Sequence, residues 1–190
     1  MLSKIGDIRR GLDAKAYLSA LALALTLPDI CGNLMYPKMN VGDRYEKWFD
    51  EYVSPSFNEP DGSEFSGIYP RFDGRLCYEL RCAYLHSGNV AVVSKGQALI
   101  NEFELCVVED YEFEASASRF GFISDSVSNT DEDQGIKATY IRLDVRSFCH
   151  QICAAAEAFY ENYGDVFDFG DTHVAIRIWR RNDFEELVLE

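Results

Sequence analysis

The chain has 190 residues and a formal net charge of −14, from 18 Lys and Arg against 32 Asp and Glu. Apolar residues make up 47%, enough for one sizeable core and too many for a disordered chain. So acidic a protein is not a general coat for DNA or RNA, and an anionic membrane surface is not its partner.

Taken in order, residues 3–10 and 13–27 are rich in Ala and Leu, with Ser3 and Asp13 as N-cap candidates. Leu21, Leu23, Leu25 and Leu27 alternate as in a strand, but the residues between them are mostly alanines, and Ala-Leu strings favour helix. The apolar run Leu18 to Leu27 is too short to span a bilayer and starts too late for a signal peptide. It is expected to be a core helix, packed closely through Ala20, Ala22 and Ala24 and ended by Pro28. Tyr45, Trp48, Phe49 and Tyr52 recur at helical spacing within an expected helix from Asp43 to Val53. Such rings can stack on bases, but at this spacing they belong more naturally to a core or a dimer interface. Residues 54–70, with three prolines and two glycines, read as a loop. A helix from about Asp73 to Ser87 stops at Gly88.

The pattern then changes to β-rich alternation at Leu99 to Val108 and Ala138 to Leu143, with strand and turn character over 111–123. Ser124 to Gly135 is an acidic loop. Asp144 caps an amphipathic helix whose stripe is Val145, Phe148, Ile152, Ala155, Phe159 and Tyr163, ended by Gly164. His173 to Arg180 reads as a last strand. The fold class expected is α+β, a helical bundle core with an inserted small antiparallel β-sheet. All of 1–190 is read as a single domain: a helical half over 1–89, a β-rich insertion over 90–143, the long helix over 144–164 and the terminal strand over 173–180.

Six cysteines stand at 31, 77, 82, 106, 149 and 153, and no two have Cys-x2-Cys spacing. Cys149 and Cys153 flank His150, but a metal site there needs further ligands, and the other histidines are only His86 and His173. The expectation is no metal, no cofactor, and buried reduced thiols in a cytoplasmic protein. The sequence contains no phosphate loop, no Gly-x-Gly-x-x-Gly, no Gly-x-Ser-x-Gly and no His-Glu-x-x-His. Glu102 and Glu104 share a strand face, where paired acids can do acid–base work, though a solvated face explains them as well. Arg177, Arg180 and Arg181 with Trp179 form a small basic patch, most simply a solvated strand edge.

One stretch carries more. Residues 71–95 hold four basic side chains (Arg71, Arg75, Arg81, Lys95) and two acidic ones (Asp73, Glu79), a local balance of +2. On a straight helix with Leu80 at the centre of the buried face, Leu76, Cys77, Ala83 and Tyr84 share that face. Arg81 then lies at about +100° and His86 at about −120°, on opposite flanks. Bringing them together needs the arginine to reach round, a helix ending near His86, or a second subunit. His86 falls in the last turn, where the helix dipole favours a protonated ring and where histidine is a usable acid–base group.

Arg81-Cys-Ala-Tyr-Leu-His86 resembles the Arg-x4-6-His motif of the HEPN superfamily, and Tyr78-Glu-Leu-Arg81-Cys-Ala-Tyr-Leu-His86-Ser-Gly is similar to uncharacterised bacterial proteins related to it. The resemblance implies a small helical bundle that dimerises. It implies a metal-independent ribonuclease of a toxin–antitoxin, abortive-infection or phage-defence system, with RNA as substrate and an antitoxin or inhibitor protein as partner. It makes Arg81 the phosphate-binding group and His86 the acid–base for attack of a ribose 2′-OH. Arg75, Tyr84, Ser87 and Asn89 lie near that site and are expected to contact substrate, although turn residues after a helix have this character in any case. The residue after the arginine, often polar in those nucleases, is Cys82 here. The alternatives are a non-enzymatic interaction or nucleotide-binding protein on the same scaffold, and a plain structural pair at a helix end.

Overall fold

The computed structural model describes residues 1–55, 72–88, 91–93, 99–107, 122–125 and 137–169, and the backbone alone at 91–93, 99–102, 122–125 and 137–142. In chain order the elements are α1 (Leu2–Asp13), α2 (Tyr17–Ala24), α3 (Leu27–Met35), α4 (Val41–Tyr52), α5 (Gly74–Cys82), a π-helical turn (Ala83–Ser87), β1 (Ala91–Val93), β2 (Leu99–Cys106), β3 (Phe122–Asp125), β4 (Lys137–Asp144) and α6 (Val145–Tyr163). The architecture is α+β and mostly helical.

The Ala-Leu run is helical but not one helix. It begins at Tyr17, breaks at Leu25–Thr26 and resumes as α3. Pro28 does not stop it. It sits in the first turn of α3, where a missing N–H leaves no bond unmade. Nor do Ser3 and Asp13 cap. Ser3 lies inside α1 and Asp13 is its last residue. Ala20 and Ala24 are buried as expected, whereas Leu18 is 62% exposed. By length and hydropathy Tyr17–Met35 has the dimensions of a membrane span, here divided between two helices and partly buried in the bundle.

The sheet corrects a second expectation. Its order is β1-β2-β4-β3, and the central pair, β2 with β4, is parallel from Leu99 opposite Lys137 to Cys106 opposite Asp144. Only the outer pairs, β1 with β2 and β3 with β4, are antiparallel. Parallel neighbours need a long crossover, and residues 107–136 supply one. Ser54 and Pro55, expected to open the loop 54–70, are helical, and Ser124 and Asp125, expected to open the acidic loop 124–135, belong to β3. The remainder of those two loops, residues 111–121 of the strand-and-turn segment 111–123, and the terminal strand 173–180 with its basic patch lie outside the described residues.

Tyr45, Trp48, Phe49 and Phe72 are fully buried. Phe72 meets Phe49 at 5.9 Å, Phe148 of α6 at 5.6 Å and Phe103 of β2 at 6.4 Å, each edge-on. This ring set joins the sheet to the bundle. Full burial of each such side chain contributes about 1.5–3 kcal/mol. α6 starts where expected, with the buried Asp144 carboxylate accepting from Arg146 N and Ser147 N. It packs on α1, α2 and α3, and Arg9 of α1 clasps Glu157 with both guanidinium nitrogens. Burial therefore covers more than the expected stripe. Cys149, Cys153 and Ala156 are as buried as Phe148, Ile152 and Phe159.

Placement of α5 is fixed at its start. A Cβ on Gly74 would lie 2.2 Å from the Glu46 carbonyl oxygen, so only glycine lets α5 approach α4 here. The Gly74 N–H donates to Asp50 Oδ1 at 2.7 Å, and Asp73 caps Leu76 N at 2.9 Å. Burial pushes the Asp50 carboxyl up, and Asp73 and Glu51 add to this, against the pull of the Gly74 N–H. A carboxyl raised in the folded state binds its proton more tightly there than in the unfolded chain. Its ionisation therefore lowers stability as pH rises from about 4 through the folded value. Asp50→Asn keeps the acceptor without the charge. Its urea midpoint should match or exceed wild type at pH 7, and the difference should shrink on acidification. A variant weaker than wild type at pH 7 that recovers on acidification would mean that the charged hydrogen bond outweighs the burial penalty.

Candidate functional site

α5 presents the face expected of it. Cys77 and Leu80 are buried, and Leu76, Ala83 and Tyr84 are half-buried. Its continuation is not α-helical. Over Ala83–Ser87 the backbone widens to a π turn, and Gly88, at φ 60° in the left-handed region, returns its N–H to Ala83 O. In a straight α-helix Arg81 and His86 would sit about 140° apart. The wider turn begins two residues after Arg81 and contains His86, and across it the two side chains meet: Arg81 Nη1 lies 3.1 Å from His86 Nε2. The expected separation on opposite flanks therefore does not hold, and one chain brings the pair together without a second.

Chemistry fixes the roles in that contact. Guanidinium has donors only, so Nε2 of His86 accepts and its ring proton sits on Nδ1. His86 is exposed and Arg81 half-buried. The guanidinium lies 5.9 Å from the Tyr78 ring centre, at the outer limit of a cation–π contact, and 3.9 Å from Cys82 Sγ. Among the described residues no carboxylate pairs with it, and its Nε is buried without an acceptor. Exposed guanidinium groups rarely need a partner, whereas a desolvated N–H does. The group is thus held in place by stacking and by His86, and it keeps unused donor capacity.

The surroundings are structural. Tyr78 packs against Gly42 of α4 and meets the Tyr45 ring at 5.3 Å, tilted by 57°. The buried Tyr45 hydroxyl bonds Leu25 O at 3.1 Å and Cys77 Sγ at 3.3 Å, tying α2, α4 and α5 together. Arg44 and Asp29 join α4 to α3 at 3.0 Å.

The other expected site residues divide. Tyr84 donates its hydroxyl to Leu18 O of α2 at 3.0 Å, so it serves the fold before any ligand. Burial pushes the Tyr78 and Tyr84 phenols up, and both stay neutral. Arg75 is exposed and pairs with Glu79 at 3.4 Å; no described contact links it to Arg81 or His86. The Ser87 side chain and Asn89 lie outside the described residues. Glu104 is exposed on β2, and the Glu102 side chain is outside the described set. The sequence had not singled out Tyr78 for a role, although its position three residues before Arg81, on a neighbouring helical face, was a usable signal.

Among the described residues no three His, Cys, Asp or Glu side chains cluster as metal ligands, and Cys149, His150 and Cys153 gather no further one. No disulfide joins any of the six cysteines. No family model matches this chain, nor does any curated protein or solved structure.

Burial separates the thiols by reactivity. It pushes Cys31, Cys77, Cys149 and Cys153 up and closes them to solvent, leaving Cys82 and Cys106 half-exposed. A maleimide should therefore modify only those two in the native protein and all six after denaturation, as read by intact mass. Native labelling of Cys77 or Cys149 would contradict this packing.

Proposed function

We propose that the chain is a HEPN-like, metal-independent endoribonuclease of a prokaryotic defence or toxin system, with Arg81 and His86 as its working pair. One observation carries the reading: an arginine without a carboxylate partner among the described residues holds the Nε2 lone pair of an exposed histidine at 3.1 Å. Arg81 engages Nε2, the nitrogen that must act as base. When an RNA phosphate arrives, the guanidinium transfers its N–H to a phosphate oxygen, which it bonds more strongly than a neutral imidazole. Nε2 is then free to take the proton of the adjacent ribose 2′-OH. The 2′-oxygen attacks phosphorus, Arg81 offsets the charge that develops on the phosphoryl oxygens, and the P–O5′ bond breaks as the His86 imidazolium formed by taking the 2′-OH proton gives that proton to the 5′-oxygen. The products are a 2′,3′-cyclic phosphate and a 5′-hydroxyl. The fold in this reading is a HEPN-like bundle that works as a homodimer, with an antitoxin or inhibitor protein as partner. The net charge of −14 makes binding selective, and the neighbourhood of α5, with its local balance of +2, gives a phosphate a place to bind.

A second reading, a non-enzymatic interaction or nucleotide-binding protein on the same bundle, draws on Cys82, which replaces the polar residue common after the arginine, and on Tyr84, whose hydroxyl is already committed to Leu18 O.

The test is incubation of purified protein with several RNAs in EDTA, beside Arg81→Ala and His86→Ala. Cleavage by wild type should fall roughly 100-fold or more in both variants, with cyclic-phosphate ends on the products. If wild type and both variants leave every RNA equally intact, the enzyme reading fails.

A further inference from the structure

The Arg81–His86 contact depends on the wide turn, and a wide turn is not what this sequence would adopt by default. Ala83 and Leu85 are good α-helix formers, and Gly88 in the left-handed region caps an α turn as readily as a π turn. Something outside the turn must select the wider register. One side chain within it is tied to another helix: Tyr84 packs against the core and donates its hydroxyl to Leu18 O of α2 at 3.0 Å. Tightening the turn to α geometry would rotate Tyr84 relative to α2 and draw its hydroxyl away from that carbonyl. The same tightening would carry His86 about 140° from Arg81. Both contacts therefore stand or fall with one backbone register.

From this we infer that Tyr84 is a positioning residue for His86. By anchoring the turn to α2 it holds the π register, and the register aims Nε2 at Arg81. This replaces the substrate-contacting role expected of Tyr84. Its meaning for catalysis rests on the ribonuclease reading, but the positioning does not, and the experiment separates the two.

The readout is the pair of imidazole ¹⁵N shifts of His86 in labelled protein, at a pH where the ring is neutral. The His150 and His173 signals are assigned by His→Gln variants. In wild type, Nδ1 should carry the proton and Nε2 should appear as an unprotonated acceptor. Arg81→Ala should convert this to the mixed tautomers of a free imidazole. Tyr84→Phe, which removes one oxygen and leaves Leu18 O bonded within its own helix, should do the same. Tyr84→Leu serves as a second variant lacking the hydroxyl. In the RNA assay, kcat should fall roughly 10- to 100-fold in Tyr84→Phe while KM stays within about twofold.

The inference is overturned if a folded Tyr84→Phe keeps the wild-type tautomer, if wild-type His86 is not protonated at Nδ1, or if both Tyr84 variants fail to fold, which would make Tyr84 a core residue only. Should the tautomer respond as expected while no RNA is cut by wild type, the positioning stands and the ribonuclease reading alone is lost.

Discussion

Five residues of backbone, Ala83–Ser87, decide what this molecule presents at the end of α5. Their π register is the constraint on which the candidate site depends. Without it, Arg81 and His86 occupy different sides of a helix, one half-buried beside Tyr78 and the other in solvent. With it, a guanidinium and an imidazole share a hydrogen bond at the surface. π turns inside α-helices are rare and recur at functional sites. They persist where neighbouring contacts over-determine the backbone, and here those contacts come from α2 through Tyr84 and from Gly88, whose left-handed conformation ends the turn.

The rest of the fold makes that short segment rigid. α5 is pressed on α4 through Gly74, held by Asp50 and Asp73 at its first turn, and pinned in its middle by Tyr45, Cys77 and Tyr78. Magnitudes order these effects. Burial of Phe49, Phe72, Phe103 and Phe148 contributes several kcal/mol in all. A neutral hydrogen bond such as Tyr84 to Leu18 O adds about 1 kcal/mol. An exposed ion pair such as Arg75 with Glu79 adds less than about 1 kcal/mol. The core therefore sets the fold, while the choice between two turn registers lies within reach of one hydroxyl.

Much of this was legible in the sequence because it follows from local chemistry. Asp144 caps α6 since a carboxylate before an amphipathic run has free N–H groups to bond. Tyr45, Trp48 and Phe49 share one buried face because their spacing allows little else. The Arg81–His86 pair was visible as a motif. Its geometry was not, because a turn one residue wider than α has no propensity signature. The helical wheel therefore placed His86 on the far flank from Arg81, with no allowance for the π turn that begins between them. Pro28 misled for a different reason: proline ends one helix and starts another equally well, and only tertiary packing decides. Strand alternation located β2 and β4 but carries no information on direction, so the parallel central pair had to come from the fold.

The register of the turn can be read bond by bond. Through-hydrogen-bond scalar coupling between backbone nitrogen and carbonyl carbon identifies the acceptor of a given amide. Gly88 N should couple to the carbonyl of Ala83, five residues back. Coupling to the carbonyl of Tyr84, four residues back, would show an ordinary α turn, and the meeting of Arg81 with His86 would lose its structural basis.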